Sequence, residues 1–556
     1  MLISICALFS SKARVCELVT ETLADMIKYT PSSQLTLAGF EHPFERDLDP
    51  ANRWVKMANI IPWDELATIY ARNLDCKSGR QSVDIRLVIA ALIIKHKLKL
   101  DRETVSTISE NIYIQYFCGY RAFKIEDPFD ASLFVDIRKR MGADAFDSFN
   151  DVVIARAEEL VNGRKRIMSG QAAKKDNGGQ GEDGPNDPSD PNLPPNKGTL
   201  KLDATVCDQQ IAYPRDIGLL NTGRGECERI LDLLYKIAVE QNLCSGAKPR
   251  TYRRNARKDY LNISKKRNNS RKNIRKAIGK QIGYVERDIK HIENLLDLLG
   301  TRSTAWPLTK RDQRIYWVVR HICAQQKTMY KNREHSHPDR ITSVYRPYVR
   351  PMVRGKSKNK IEFGAKINAS ECNGMSKINS ISWDAYNEST ELKMQVEEFR
   401  KTYGRYPELL LADGIYMTRG NRKYMKEKGI RIVGKPLGRP PKVELSPYQK
   451  GKQRKERNQR NLIEGKFGQA KNGYNLNCIR ARRKDTSESW IAAIFFVMNL
   501  TTLGKVAEKY FFWLLKSLQH TTKWLRMITT DPFKCEKPMW QQKSRLEVGK
   551  IQFLEF

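Results

Sequence analysis

Three carboxylates stand where a chain can use them for chemistry. Asp413 ends the apolar run of LLLADGIY (409–416) and is followed at once by Gly414, which lets the backbone turn away without a side chain beside the acid. Asp203 lies in LKLDATVCD, where Asp203, Thr205 and Cys207 alternate onto one face of a strand. Glu464 belongs to QRNLIEGKFGQAKNGY, a helix that places Arg460, Glu464 and Lys471 on one face beside an apolar stripe of Ile463, Phe467 and Ala470. The C-terminal ends of buried strands are where open α/β sheets place ligands, and carboxylate oxygens are the donors that hard cations take. Each acid also has a plain structural reading: aspartates near strand ends are common turn residues, and Glu464 with Arg460 is an ordinary i,i+4 pair. Their joint order, strand Asp, strand Asp, helix Glu in a basic chain, favours a common site.

The elements that must hold these acids follow from periodicity. After Asp203, residues from about 226 to 330 turn helical and very basic. Within them Ile278, Ile282, Val285, Ile289, Ile292, Leu296 and Leu299 step by four and three, and Ile315, Val319, Ile322 and Met329 offer a returning partner. A helical hairpin inserted into the next domain is the simplest arrangement. Strand-like text resumes in RITSVY, MVRGK, KIEFGAKIN and KINSISWD. A helix (STELKMQVEEFRKTYG), a strand (ELLLAD), a helix (RGNRKYMKEKG) and a strand (IRIVGKP) follow, and a long helix over about 453–474 completes the unit. Strands first and helix-strand alternation afterwards predict a mixed sheet with helices packed on it.

Upstream, residues 50–168 read as a compact helical domain. Ser82 is the expected cap of a helix with body IRLVIAALIIKHKL, apolar nearly all round and therefore central. DRETVSTISENIYIQYFCGY reads as one helix with Val105, Ile108 and Ile112 on a face and a stop near Gly119; DPFDASLFVDIRKRMG reads as another, capped by Asp130. Arg138, Lys139 and Arg140 in its last turn suit either the helix dipole or a phosphate. Residues 169–198 hold almost no apolar side chains and read as a disordered linker. The expected division is an N-terminal extension (1–49), the helical domain (50–168), the linker (169–198), a catalytic domain (199–503) with a basic insertion at about 226–335, and a tail (504–556).

Composition narrows the partner. The 556 residues carry 99 Lys and Arg against 63 Asp and Glu, a formal net charge of +36, and a polyanion such as nucleic acid is the first candidate. Eleven cysteines without a CxxC spacing favour a reducing compartment over disulfides or zinc, and His335 and His337 in REHSHPDR lack a companion cysteine. The opening residues lack a secretory pattern, and Met26 competes with Met1 as the start. The apolar stretch 490–500 is shorter than the roughly 20 residues of a membrane span, so a soluble, cytoplasmic protein is expected.

These residues resemble the DDE transposases of bacterial insertion sequences, closest to the insertion sequence five superfamily. The likeness runs from about residue 29 to 503, through YTPSSQLTLAGF, LDATVCDQQIAYPRD, VRGKSKNKIEFGAKIN, WDAYNES, LADGIYMTRGNR and RNLIEGKFGQAKNGYNLNCIRARR. Arg460, Glu464 and Lys471 fall in register with that family's Tyr-x2-Arg-x3-Glu-x6-Lys signature, whose tyrosine position is Arg457 here. The resemblance implies an RNase H-like (retroviral-integrase-like) α/β core behind the helical domain, an α+β protein overall. It implies Asp203, Asp413 and Glu464 as ligands of two Mg²⁺ ions, roughly 3.5–4 Å apart in such sites, with Mn²⁺ a possible substitute. Asp203 would bridge the ions, while Thr205 and Asn421 orient ligands. Asp208, on the opposite strand face, and Asp216, in a turn, rank lower, and Tyr416 is expected to pack rather than attack. Double-stranded DNA is the implied partner, gripped by Arg460, Lys471, Arg480, Arg482 and Arg483, by Arg253, Arg254, Lys265, Lys266 and Arg267 of the insertion, and by Arg138 and Arg140. A dimer or larger assembly is implied, without a membrane. An RNase H-like nuclease that cleaves without joining, and an inactive or non-enzymatic basic nucleic-acid-binding protein, are the rival readings.

Overall fold

The computed structural model describes residues 28–31, 40–41, 47–74, 82–99, 101–168, 194–244, 246–301, 306–353, 361–433 and 446–530. Most of the expected linker and the end of the chain lie outside them. The fold is mixed α+β.

The first helices are α1 (Arg53–Ile60), α2 (Trp63–Ala71), α3 (Ile85–Leu98), α4 (Asp101–Glu110), α5 (Ile112–Cys118) and α6 (Leu133–Met168). Helix α3 is the central one: ten consecutive residues from Ile85 to Ile94 are buried. Its cap is Asp84, whose carboxylate accepts from the Leu87 amide, and Ser82 instead accepts from Lys28. Asn111 breaks the expected single helix in two, because its side chain accepts from the Ile114 amide and starts α5. Gly119, at φ 94°, closes α5 in the left-handed region. Helix α6 is two helical segments broken at Gly142 (φ 55°, ψ −179°), so the first ends just after Arg140, where the sequence predicts, and the second runs on to Met168. Arg138 stands in the last turn of the first segment and faces Asp101 at 3.7 Å.

Strand β1 (Thr199–Asp208) opens the sheet unit and leads into α7 (Asp216–Glu240), α8 (Arg253–Ser264), α9 (Arg271–Gly300) and α10 (Lys310–Asn332). The seam residues Ile282, Val285, Ile292 and Leu299 of α9 and Ile315, Val319 and Ile322 of α10 share one core with Leu220, Ile230, Leu231 and Leu234 of α7. The insertion is thus a helical hairpin laid on α7. RITSVY forms no strand: Ile341 and Val344 pack into this helical core, and Thr342 donates to the carbonyl of Val349 across a loop.

Then come β2 (Pro351–Val353), β3 (Ile361–Cys372), β4 (Met375–Ser382), α11 (Leu392–Tyr403), β5 (Leu409–Leu411), α12 (Arg419–Glu427), β6 (Arg431–Ile432), α13 (Pro447–Gly473) and α14 (Lys484–Thr530). The sheet order is β2-β3-β1-β5-β6, with β4 also on β3. Strand β1 is antiparallel to β3 and parallel to β5, and β5 is parallel to β6. Gly364 is required where β3 crosses β1, since a Cβ there would stand 1.8 Å from the Cys207 carbonyl oxygen.

One sheet face carries Leu200, Leu202, Leu410 and Ala412 against Leu392, Val396 and Phe399 of α11 and Met425 of α12. The other carries Cys207, Ala365, Ile367 and Ala369 into a core shared with α13, α14 and the N-terminal helices. Helix α14 crosses the boundary expected at 503 without a break. Phe496 packs on Phe146 and Phe149 of α6, and Asn499 exchanges hydrogen bonds with the Ser376 backbone while donating to Asn150. The stretch Lys484–Trp513 is long and apolar enough to cross a membrane, unlike the shorter run read from sequence. Of its most apolar 18-residue window, 72% is buried inside the protein, as befits a core helix.

Candidate active site

Odd-numbered residues of β1 face α13. The register pairs Lys201 with Leu411, and two residues further on each parallel chain stand Asp203 and Asp413. Neighbouring strands lie about 4.8 Å apart, so the ladder runs the chain that ends in Asp413, two residues past β5, alongside the strand that carries Asp203. Helix α13 lies over that face because Ile463, Phe467 and Ala470 are buried there, and this seating brings Glu464 to the rim. Arg431 of β6 holds the N-terminal half of α13 with two parallel bonds to Glu456, of 2.8 and 3.1 Å.

The three acids have different surroundings. Asp203 is partly buried and its carboxyl is pushed up to about 6, chiefly by desolvation. The Ala204 amide and Arg460 oppose that rise, while Glu388 and Glu464 add to it. Asp413 is exposed; its carboxylate accepts from the Gly414 amide at 2.7 Å and starts the short turn Gly414–Tyr416. Glu464 is half exposed and paired with Arg460 at 2.7 Å. Among the described residues no group of three His, Cys, Asp or Glu is close enough to hold a metal ion. Asp203 and Glu464 feel each other, but Glu464 is turned to Arg460.

The surrounding residues fix backbone rather than touch the acids. The Asn421 amide donates to the carbonyls of Tyr416 and Ser389, both at 2.8 Å, and locks the turn after Asp413. Tyr416 is fully buried and donates to Asn368 at 3.1 Å, a packing role as expected. Thr205 is buried on the face of Asp203. Gly414 has open space around it and an unremarkable φ, so this turn does not depend on glycine. Lys471 pairs loosely with Glu362 at 4.0 Å and sits by Cys207, about 13 Å along β1 from Asp203. The competing acids are accounted for locally: Asp208 accepts from the Phe363 amide, and Asp216 pairs with Arg340 at 2.6 Å.

Glu388 is the residue that sequence reasoning missed. It lies in the quoted WDAYNES stretch, pairs with Lys366 at 2.9 Å, and raises both Asp203 and Tyr416. The one signal was an acid inside a stretch already singled out.

The proposed DNA contacts are dispersed. Arg253 is engaged by Asp232 through two bonds, whereas Arg254, Lys265 and Lys266 are exposed. Lys266 and Arg267 line a cleft of about 950 Å³ with Tyr213, Tyr260 and Arg346. Arg346 also donates to the carbonyls of Gln210, Arg480 and Ala481, tying the end of β1 to the loop after α13. Arg482 is exposed, Arg483 pairs with Asp485, and Arg140 reaches the Tyr70 hydroxyl. His337 bonds the neighbouring Pro338 carbonyl in a surface loop.

Comparison with known proteins bears on this arrangement at two places. Residues 410–501, which hold Asp413 and Glu464, match the family described as "Transposase DDE domain", and residues 42–140 match "Transposase domain (DUF772)". Residues 410–501 are thus similar to a DDE-type transposase domain, and residues 42–140 to a second transposase domain. A curated relative, "Uncharacterized protein ORF8 in nfe locus" of Rhizobium meliloti, is 33% identical over 133 residues, 23% of this chain and 62% of that protein. The chain thus spans less than two thirds of that relative's length. No solved structure matches. Asp203 lies outside both matched segments, so its place in the site rests on the sheet register.

Proposed function

We propose that this protein is the transposase of a bacterial insertion sequence of the insertion sequence five superfamily, acting on an RNase H-like core. It binds the element's terminal inverted repeats, cleaves at the element end, and joins the released 3′-OH to target DNA. The observation that supports the reading is the parallel pairing of β1, which carries Asp203, with β5, which ends two residues before Asp413, with the helix of Glu464 packed on the same sheet. The antiparallel β4-β3-β1 strands continued by parallel β5 and β6 support the core assignment.

The donor set fits a hard divalent cation. A carboxyl raised by burial and by two neighbouring acids gains from a positive charge at that place. Asp203, Asp413 and Glu464 would hold Mg²⁺ or Mn²⁺, Glu464 after leaving Arg460. The bound metal supplies charge neutralisation at the scissile phosphate and at the in-line oxygens. Arg460, released from Glu464, is placed to hold a phosphate oxygen, and Asn421 keeps the Asp413 turn in position. Two element ends must meet, so the working form is a dimer or larger assembly.

The test uses the full chain and a duplex bearing the short inverted repeats from the DNA flanking its coding region. Mg²⁺-dependent cleavage is expected, and the triple change Asp203→Ala, Asp413→Ala, Glu464→Ala should abolish it while duplex binding persists. Cleavage that survives the triple change would overturn the assignment. Pre-cleaved ends supplied with a target plasmid separate a transposase, which joins them, from a nuclease, which does not.

A further inference from the structure

A second concentration of buried charge, of opposite sign, lies where the helical unit meets the loop after α13. Lys95 of α3 is 2% exposed and ion-pairs with Asp101 at 2.6 Å. It lies 4.5 Å from the Trp490 ring centroid and 4.7 Å from that of Phe134. Arg138 of α6 is about nine-tenths buried, lies 4.8 Å over the same indole, and reaches Asp101 only at 3.7 Å. Lys99, Arg102, Arg138, Arg480 and Trp490 line a cleft of about 530 Å³ together with Asp101 and Glu103.

The donors there outnumber the acceptors. Arg138 Nη1 and Trp490 Nε1 are both buried without a hydrogen-bond partner, and an unmet buried donor is destabilising. Lys95 is crowded by Arg138 and Arg480, and burial with that crowding pushes its ammonium down to about 7. His96, fully buried beside them, is held well below its ordinary range and adds no charge. Four cations, Lys99, Arg102, Arg138 and Arg480, thus meet two carboxylates in a partly closed space, with Lys95 buried behind them. An anion with several acceptor oxygens satisfies the open donors and offsets the repulsion.

We propose that this cleft is a phosphate site that takes a backbone phosphate of duplex DNA and so couples the helical unit to the loop of the catalytic sheet. Its phosphate chemistry rests on the cleft alone; its source in duplex DNA rests on the transposase reading. Arg480 is exposed and its loop is held by Arg346 through backbone carbonyls, so replacing its side chain spares the fold.

Two measurements on the full chain test the site. Anisotropy of a labelled 30-bp duplex of arbitrary sequence, followed against salt, gives the number of phosphates contacted, each worth about 0.9 in the log–log slope. Arg480→Gln and the double change Arg102→Gln, Arg480→Gln should bind three- to tenfold more weakly with a slope shallower by about one, and Arg480→Lys should restore the slope. Inorganic phosphate should raise the thermal midpoint of the unchanged protein more than chloride at equal ionic strength, and less in Arg480→Gln. Unchanged slope and affinity in the double variant overturn the duplex proposal. If phosphate still stabilises through Arg480, the cleft serves a free phosphate instead; if it does not, there is no site here. Either result leaves the cleavage assay on Asp203, Asp413 and Glu464 standing, so the two proposals fail separately.

Discussion

The acidic face under α13 and the basic cleft beside Trp490 are built on opposite principles of charge placement. On the acidic face Asp203, Asp413 and Glu464 come from two strands and a helix, and only Asp203 is substantially buried. In the cleft Arg138 is almost wholly buried, with buried Lys95 behind it, and the exposed members are peripheral. Both sites gather like charges beyond what their own counterions balance, and folding alone does not favour that. The difference lies in what restores balance: a compact cation for carboxylates on a sheet, a multidentate anion for guanidinium and indole donors between packed helices.

The largest effect should come from breaking the acidic face. Asp413→Ala is expected to lower cleavage of an end-bearing duplex by about 10³-fold, roughly 4 kcal/mol, with duplex affinity within twofold. Asp216→Asn, at an acid already explained by Arg340, should leave cleavage within about twofold and so show that the loss is specific to the face.

A buried acid in a third place sharpens the comparison. Asp288 is fully buried on α9, with both carboxylate oxygens unpartnered. Desolvation first and Glu228 second push it up to about 7, against Arg224, Arg287 and Arg253. For a carboxyl raised on folding, the unfolded chain releases its proton first, so stability is lost as pH rises from about 4 through 7. Asp288→Asn should therefore raise the thermal midpoint by several degrees at pH 8, with the gain vanishing toward pH 4. An equal gain at both pH values would show that titration is not the cause. Divalent metal should not mimic that gain, because this acid faces the core of a helical insertion and no metal site.

The smallest expected effect is electrostatic and separates Glu388 from the ligand set. Glu388→Gln removes a charge that raises Asp203, so the acid limb of the cleavage–pH profile should move to lower pH by a fraction of a unit, with the plateau rate within about threefold. A loss as deep as that of Asp413→Ala would instead make Glu388 a fourth ligand.

Much of the positioning machinery was legible in sequence because it is periodic. The alternation of Asp203, Thr205 and Cys207 and the stripe Ile463, Phe467, Ala470 each fix which face is buried, and the apolar run before Asp413 marks a strand end. The misreadings share a physical cause, the dependence of local structure on distant contacts. RITSVY has strand composition but is claimed by the core of α7, α9 and α10. Glu388 lies 185 positions from Asp203 in sequence, and a lysine within IRLVIAALIIKHKL gives no sign of the arginines it will face. Proximity set by sheet register and helix packing leaves no local trace.

The central claim is that Asp203, outside the segments matched to transposase families, completes the acidic face. Its most direct test is Mg²⁺-dependent cleavage of an inverted-repeat duplex by the Asp203→Ala chain, with duplex binding measured on the same preparation. The account predicts a loss of about 10³-fold or more, as deep as for Asp413→Ala, with binding intact. Cleavage within tenfold of the unchanged protein would contradict it.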